Sequence, residues 1–495
     1  MKFEIYTIAL LSFMLSACNS YLDVKPTTEV DRNELFTTEE GYADALAGVY
    51  GSMSSTNLYG RNMTWYLLDF FAGYYVSPFY SLNSFYARYL YKHDNENRNE
   101  TVIASIDAFW GGIYTNIANL NSILETIDSN SSVFSGNNYK VMKGEALGLR
   151  AFLHFDLLRM YGQPYSVDKE SLSIPYVDEL TTKVTELGTV DAVLERIITD
   201  LKEAKTLLGD DPMKLGTTPS LALASLPTGN YSSYGIANWH NRRFHFNYYA
   251  AVATLARAYQ WKGDKTNALR EALEVIGAQE TRFPWVANSN LTTIGTDAVN
   301  QDRTFATEQI FALNIRKSSF EDNMDGYLYF KSIAMLSSQV TLCADQNIYE
   351  GYITDPRYQY LLTLNNNKYI LTKFYQNSNV GNYFQERQPL IRMSEMFYIA
   401  AECASDVATG VNYLNAVRNN RGLSARPLLT TMSQDELTTE IQKECRKEFF
   451  GEGQMWFYYK RNLAESINKM YSFYGTELYT FDRPENEDLY GGRLN

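Results

Sequence analysis

Small and large apolar residues recur at helical spacing along residues 247–276. Small side chains let two helices approach closely, and Gly263-Asp264 is a pair that ends one helix and begins the next. An apolar stripe then lines the returning segment. This small–large pattern predicts a hairpin of the tetratricopeptide type. The small residues are Ala250, Ala253, Ala256 and Ala258, and the stripe comprises Ala268, Ala272 and Ile276.

Helical periodicity of the same kind recurs elsewhere in the chain. Two of the segments predict a second hairpin, with the break between its helices near Gly410. Thr37 or Thr38, followed by Glu40, favours a helix start. The pattern therefore predicts an all-α, tetratricopeptide-like frame of helical hairpins. The predicted helical segments are 36–53, 108–127, 139–162, 191–208, 390–406 and 411–423.

Long stretches without helical period separate these segments, and each is rich in Tyr, Asn, Ser and Gly. Loops of this length inside a compact protein are usually functional. We therefore expect residues 36–495 to form one helical body with large irregular insertions. The predicted insertions cover approximately residues 55–100, 209–245 and 279–388.

The amino terminus has the pattern of an export signal. Residues 5–17 are almost wholly apolar but too short to span a bilayer. The tetrad Leu15-Ser16-Ala17-Cys18 resembles the bacterial lipobox, after which Cys18 carries lipid. We predict a lipoprotein signal peptide over residues 1–17 and a lipid-anchored tether over residues 18–35. The alternative is a plain signal followed by an unrelated cysteine.

Composition narrows the function classes. A formal net charge of -13 argues against nucleic-acid binding. Tyr is abundant, with 39 residues, and a ring that carries a hydroxyl suits surfaces that contact polar ligands. Catalytic and zinc motifs are missing from the sequence, although paired carboxylates for glycoside hydrolysis remain possible. The cysteines after Cys18 are predicted to be buried, unpaired thiols, and they are Cys343, Cys403 and Cys445.

Several blocks, in order along nearly the whole chain, resemble the SusD/RagB family of bacterial surface lipoproteins. They include FWGGIYTNIANLN, KGEALGLRAFLHFDLLRMYGQPY, PLIRMSEMFYIAAECA and EIQKECRKEFFGEGQMWFYYKR. Two positions depart from the family pattern: Met455 stands where Arg is usual and Tyr458 where Asp is usual. We expect these departures to affect local packing more than the family assignment.

The resemblance implies a helical, tetratricopeptide-containing lipoprotein on the outer face of the outer membrane. Such a protein binds a glycan or another nutrient, has no catalytic activity, and acts as the lid of a SusC-type TonB-dependent transporter. Three alternatives stay open. They are a scaffold that only seats other components of a membrane complex, a binder of a non-glycan nutrient such as peptide, and a glycoside hydrolase.

Sugars are bound by aromatic rings laid against their C–H faces, with amides and charged groups around the rim. Candidate residues should therefore lie in the irregular insertions. The alternative is that these rings only pack the insertions onto the frame. The ligand-binding candidates are Tyr75, Tyr80, Tyr231, Tyr234, Trp239, Asn241, Arg242, Trp285 and Tyr327.

Other chemical features have simpler interpretations. No cofactor is expected, although the acidic turn at Asp322, Asn323, Asp325 and Gly326 is a possible Ca²⁺ site that lacks the EF-hand spacing. An ordinary Asx turn is the better interpretation of this segment. We expect Glu444, Arg446 and Glu448 to form a packing-related charge network. We assign Trp110, Trp261 and Trp456 to the core.

Overall fold

The computed structural model describes residues 32–76, 100–216, 239–292, 301–316, 341–342, 348–365, 368–375, 384–467, 471–472 and 479–490. Cys18, the predicted signal peptide and most of the predicted tether lie outside these residues. In the described part, helices predominate and the strands are short.

The helices are α1 (Arg32–Leu35), α2 (Glu39–Met53), α3 (Leu67–Phe71), α4 (Glu100–Ile127), α5 (Asn138–Tyr161), α6 (Val190–Leu207), α7 (Pro212–Leu215), α8 (Tyr248–Lys262), α9 (Lys265–Ile276), α10 (Gln279–Arg282), α11 (Pro356–Leu361), α12 (Met393–Cys403), α13 (Val407–Asn419), α14 (Gln434–Glu448), α15 (Gln454–Arg461) and α16 (Glu485–Tyr490).

The strands are β1 (Tyr75–Val76), β2 (Leu172–Pro175), β3 (Leu187–Thr189), β4 (Gln309–Asn314), β5 (Thr341–Leu342), β6 (Leu362–Asn365), β7 (Lys368–Leu371), β8 (Arg387–Arg392), β9 (Ser466–Ile467) and β10 (Tyr471–Ser472). They pair as antiparallel two-stranded ladders: β1 with β5, β2 with β3, β4 with β8, β6 with β7 and β9 with β10.

The predicted helical hairpins are confirmed, and they stack in one continuous series. Helices α4 and α5 pack together, and α5 packs on α6. Helix α8 contacts α6 and forms a hairpin with α9, which packs on α12; helix α12 in turn packs on α13. Each helix buries its apolar face against its neighbours, so a single core runs through the frame.

Local sequence signals account for the ends of these helices. The Thr38 hydroxyl accepts a hydrogen bond from the Gly41 amide (3.1 Å) and caps α2, as predicted. Gly263 adopts a left-handed conformation with φ 81°, which ends α8. The Asp264 carboxylate then accepts a bond from the Asn267 amide (3.1 Å) and caps α9.

The predicted break of the second hairpin was misplaced. Helix α12 ends at Cys403, and Asp406 caps the next helix, so Gly410 lies inside α13. A Cβ atom at Gly410 would stand 2.6 Å from the Ala401 carbonyl oxygen and 2.8 Å from a Leu437 methyl carbon. Gly410 therefore permits close helix packing and does not break the helix.

The predicted core residues are confirmed. Trp110, Trp261 and Trp456 are buried, with Trp456 fully inaccessible. Cys403 and Cys445 are buried, free thiols as expected, and burial raises the pKa of the Cys403 thiol to about 12. Cys343 lies outside the described residues. Of the helices that the structure describes, none combines the length and apolar character needed to cross a membrane.

The Gly410 contact gives a test of the packing. Gly410→Ala should destabilise the protein by about 1–3 kcal/mol, because the added methyl group overlaps fixed backbone. The control is Gly111→Ala, at an exposed helical position where a Cβ atom meets nothing within 4 Å. That change should be neutral or stabilising by up to about 1 kcal/mol. Urea unfolding measures both, and equal effects would contradict the packing role of Gly410.

Candidate functional site: the predicted binding insertions and their buried supports

Short strand pairs connect the insertions to the frame and to each other. In β1 and β5, Tyr75 lies opposite Leu342, so the insertion at residues 55–100 meets the one at residues 279–388. In β4 and β8, Gln309 lies opposite Arg392. Since β8 runs directly into α12, this ladder fixes the larger insertion to the second hairpin. Backbone pairing thus brings separate predicted insertions together.

A set of charged residues in β8 and in segments that pack near it is almost inaccessible to solvent. We call it the buried ion-pair network. Every member is 3% exposed or less, and its parts come from β8, α11, α13, α14 and the segments around them. The members are Glu308, Asp355, Arg357, Lys373, Arg392, Arg418, Arg421, Glu444, Lys447, Glu448 and Glu452.

Glu448 is the central carboxylate of the buried ion-pair network. Its oxygens accept bonds from Arg421 (2.7 Å and 3.1 Å), from Arg357 (2.8 Å) and from Arg392. Burial alone would raise the pKa of Glu448, but the three guanidinium groups hold it well below the usual range. This carboxylate is therefore ionised and fully committed to its partners.

Glu444 lies one helical turn earlier on the same face of α14. It accepts bonds from Arg418 (2.6 Å), Arg357 (2.9 Å) and Lys447 (3.0 Å). Burial opposes ionisation, yet these cations lower the pKa of Glu444 to about 2. The predicted charge network is confirmed for both glutamates. Arg446 contributes differently, because its carbonyl oxygen accepts a bond from the Tyr74 hydroxyl (2.7 Å).

The predicted ligand residue Trp285 lies against one member of this network, Arg421. The guanidinium of Arg421 lies 5.4 Å from the Trp285 ring and binds Glu308 at 2.6 Å and 3.0 Å. The next amide, that of Val286, also donates to Glu308 (3.0 Å). The Trp285 ring packs 5.2 Å from the Phe397 ring and stays half-buried. Trp285 is thus a firmly supported ring that remains partly accessible.

Phe305 forms the apolar floor under the same cations. Its ring is buried and lies 4.4 Å from the guanidinium of Arg421 and 5.1 Å from that of Arg392. Its backbone adopts a left-handed conformation with φ 55°. Such a conformation is costly for a bulky residue and persists only where the surroundings enforce it. The loop before β4 is therefore held in one shape by the network.

Arg242 has a different place from the one predicted. Its guanidinium is buried and binds the carboxylates of Asp211 (2.6 Å) and Glu145. His245 and Tyr50 also bind Glu145, each at 2.6 Å. Because both carboxylates hold the guanidinium inside the protein, we reinterpret Arg242 as an anchor of the insertion at residues 209–245. Its predicted contact with ligand does not fit this burial.

Glu145 is the carboxylate on which this second anchor depends. Burial raises its pKa, but the charges of Arg242 and His245 outweigh burial and bring the pKa down to about 2. Gly148 lies one turn further along α5, and its missing side chain leaves room for the ring of Phe246. Phe246 directly follows His245 in the chain. The anchor is therefore fixed by charge and by close packing.

The first insertion has a third anchor at Asp69. The Asp69 carboxylate accepts bonds from the amides of Gly451 (2.7 Å) and Gly453 (3.0 Å), at the turn before α15. Burial raises the pKa of Asp69 well above its usual range, against the effect of these bonds. The nearby Tyr74 ring is buried 4.3 Å from the Phe450 ring. The start of the insertion is therefore structural.

The remaining candidates are described only in part. Tyr75, Trp239 and Asn241 have a described backbone, in β1 and in the 3₁₀ helix Trp239–Phe244. The others lie outside the described residues, as does the acidic turn considered for Ca²⁺: Tyr80, Tyr231, Tyr234, Tyr327, Asp322, Asn323, Asp325 and Gly326. In the portion that the structure describes, no three His, Cys, Asp or Glu side chains are grouped to hold a metal ion.

Sequence reasoning missed most of the buried ion-pair network. Three members were not predicted from the sequence: Arg392, Arg421 and Glu308. Arg421 lies against the Trp285 ring and binds Glu308, which also lies near Arg392. One signal was present. Glu444 and Glu448 share a helix face with the apolar residues Ile441 and Cys445, and charged residues on an apolar face indicate buried pairing.

Comparison with known proteins decides the family. Residues 20–227 match a family model described as "Starch-binding associating with outer membrane", and residues 307–492 match the SusD family model. The chain belongs to the SusD family. A relative, SusD-like protein P2 of Formosa agariphila, is 25% identical over 513 aligned positions, which cover 93% of this chain and 90% of that protein.

Solved SusD structures share the fold. A SusD superfamily protein from Bacteroides vulgatus superposes with a TM-score of 0.68 at 21% identity, over 92% of this chain and 98% of that one. A laminarin-binding SusD-like protein gives a TM-score of 0.62 at 16% identity, with coverages of 92% and 98%. The two departures from the family pattern, Met455 and Tyr458, are both buried in α15.

The central position of Glu448 in this SusD family member can be tested by substitution. Glu448→Gln should destabilise the protein by about 3–5 kcal/mol, because it leaves buried arginines without a counter-charge. The control on the same helix is Glu440→Gln, which removes a partly exposed pair with Lys443 and should cost less than about 1 kcal/mol. Urea unfolding at pH 7 compares the two, and similar losses would contradict the central role of Glu448.

The anchor at Glu145 predicts a pH dependence. A carboxyl whose pKa is lower in the folded protein stabilises the fold above its usual pKa, 4.5, and loses that effect as pH falls toward 2. The stability difference between the natural protein and Glu145→Gln should therefore shrink by about 2 kcal/mol between pH 6 and pH 3. Urea titrations at both pH values measure it. A difference independent of pH would refute this ionised anchor.

Proposed function

We propose that this protein is an outer-membrane surface lipoprotein that binds glycans and delivers them to a SusC-type TonB-dependent transporter. Membership of the SusD family supports glycan binding, as does the fold shared with a laminarin-binding protein. The lipobox at Cys18 supports a lipid anchor, and the expected orientation is outward. The proposal excludes nucleic acid as a partner.

The observation that carries the proposal is the rigid support of the Trp285 ring. The ring is half-buried, backed by Phe397 (5.2 Å) and by Arg421 (5.4 Å). A ring fixed in this way loses little side-chain entropy when a sugar stacks on it, because its position is already set. Trp285 is therefore our first ligand-binding residue.

Further rings would extend the binding surface along an oligosaccharide. The pairing of Tyr75 with Leu342 brings two insertions together, which supports a composite surface built from several stretches. Aromatic and amide side chains supply the stacking and rim contacts that sugars require. The proposed additional residues are Tyr75, Tyr80, Tyr231, Tyr234, Trp239, Asn241 and Tyr327.

We propose binding without catalysis. Glycoside hydrolysis requires a carboxyl group with a raised pKa that faces the substrate. Asp69 and Asp302 have raised pKa values (about 6 for Asp302), in both cases because they are buried. Both are inaccessible and accept bonds from backbone amides, those of Gly451 and Gly453 for Asp69 and that of Ala306 for Asp302. These two carboxyls serve as structural caps.

Glycan binding is tested by calorimetry on the soluble form that lacks residues 1–18. The ligands are laminarin, starch and a panel of neutral and acidic polysaccharides. Trp285→Ala should weaken binding of the recognised glycan about 5- to 10-fold, the effect of losing one stacked ring. Trp285→Phe keeps an aromatic face and should lose less. If no polysaccharide of the panel binds, the result would contradict glycan binding and favour peptide or another nutrient as the ligand.

The tetratricopeptide-like frame favours one alternative, a scaffold that only seats other components of a membrane complex. Co-purification of the lipidated protein with a SusC-type transporter discriminates the two functions. A Trp285→Ala protein that keeps the transporter but loses the glycan supports the binding function. Loss of the transporter with glycan binding unchanged supports the scaffold.

A further inference from the structure

A cavity lies within the helical frame, and Trp285 is not among the residues that line it. It is formed between α5, α8, α12, α14 and α15 and has about 50 Å³ of space for water-sized groups. Its walls include the buried residues Arg159, Arg257, Trp261 and Tyr398, and also the half-buried residues Glu402 and Arg461. We call this space the frame cleft.

Four of the residues that line the frame cleft each carry a buried hydrogen-bond donor with no partner among the described residues. These donors are Nε of Arg159, one terminal nitrogen of Arg257, the indole nitrogen of Trp261 and the hydroxyl of Tyr398. Each residue is at least nine-tenths buried. Buried donors in folded proteins are nearly always satisfied, and an unsatisfied one costs about 1–3 kcal/mol. Several in one cavity indicate a missing acceptor.

The other donors of the two arginines are already bound, so the free ones are held in place. Arg159 binds Asp156 and, through another nitrogen, Gln454 (3.3 Å). Its guanidinium lies 3.8 Å from the ring centre of Phe457. Arg257 binds both oxygens of Glu395. The geometry of the unused nitrogens is therefore set by contacts independent of any ligand.

The carboxylates near the frame cleft do not supply the missing acceptor. Glu395 is held by Arg257, as described, and Glu402 binds Arg461 at 2.5 Å and 2.7 Å. Gln260 also donates to Glu402 (3.0 Å). Burial lowers the pKa of Arg159, the nearby charge of Asp156 raises it, and that of Arg257 lowers it again. The walls therefore offer more donors than acceptors, with arginine the main contributor.

We propose that the frame cleft is a binding site for a small carboxylate. A carboxylate has two acceptor oxygens in a plane, the geometry that arginine nitrogens match best. A water molecule needs about 10–15 Å³ of such space, so about 50 Å³ admits an anion the size of formate or acetate. The hydroxyl of Tyr398 and the indole of Trp261 provide further donors. The frame cleft is separate from the proposed glycan-binding surface at Trp285.

The test is thermal unfolding of the purified full-length protein at pH 7.5 with increasing sodium formate, against sodium chloride at equal concentration. The melting temperature should rise saturably with formate alone. Tyr398→Phe and Trp261→Phe each remove one donor and leave an aromatic ring in place, and each should weaken the apparent formate affinity about 2- to 12-fold. The control is Tyr413→Phe, a tyrosine outside the frame cleft that packs against Phe397; it should respond like the natural protein.

Two outcomes would overturn the proposal. Equal responses to formate and chloride mean that the frame cleft holds ordered water or an adventitious ion only. A formate response that is unchanged in both Tyr398→Phe and Trp261→Phe places the anion elsewhere. Tyr398→Phe preserves the size of the ring, whereas Trp261→Phe leaves a smaller one, and circular dichroism checks that both variants fold. Since no glycan enters the experiment, its result is independent of the glycan-binding proposal.

Discussion

The structure depends on the need to neutralise charges that are buried together. Glu448 forms ion pairs with three arginines. Neighbouring carboxylates bind cations from α13, β8 and the segment around α11. A buried charge without a partner costs several kcal/mol, whereas a complete set of pairs in good geometry offsets its desolvation. Every element that contributes a member must therefore occupy its place at the same time. This requirement joins distant parts of the chain into one body.

Packing holds the helical frame together, and charged groups attach the insertions to it. The helical hairpins bury a single apolar core, while the insertions attach at a few strong points. These points are Asp69 at the turn before α15, Arg242 between Glu145 and Asp211, and Trp285 above Arg421. Between such anchors, an insertion can change its sequence without disturbing the core. Segments held at the surface by a rigid scaffold are where binding residues are usually found.

The candidate site was predictable to the extent that it depends on composition. Aromatic residues in polar, non-helical sequence indicated Trp285, and the structure places that ring on a rigid support. The burial of Arg242 was not predictable, because an arginine among Asn and Tyr residues has the pattern of an exposed loop. Its partners Asp211 and Glu145 are 31 and 97 residues away. The local sequence holds no sign that these groups meet.

The sequence by itself determined the helices, their hairpin pairing, the buried tryptophans and thiols, and the family, because all of these follow from short-range spacing or from the order of blocks. Only the tertiary structure decided the role of Gly410, the anchors and the frame cleft. Glu308 and Arg421, for example, are 113 residues apart yet share two hydrogen bonds. Apolar periodicity specifies which face of a helix is buried, but the partner of a buried charge is specified only by where the folded chain brings the two together.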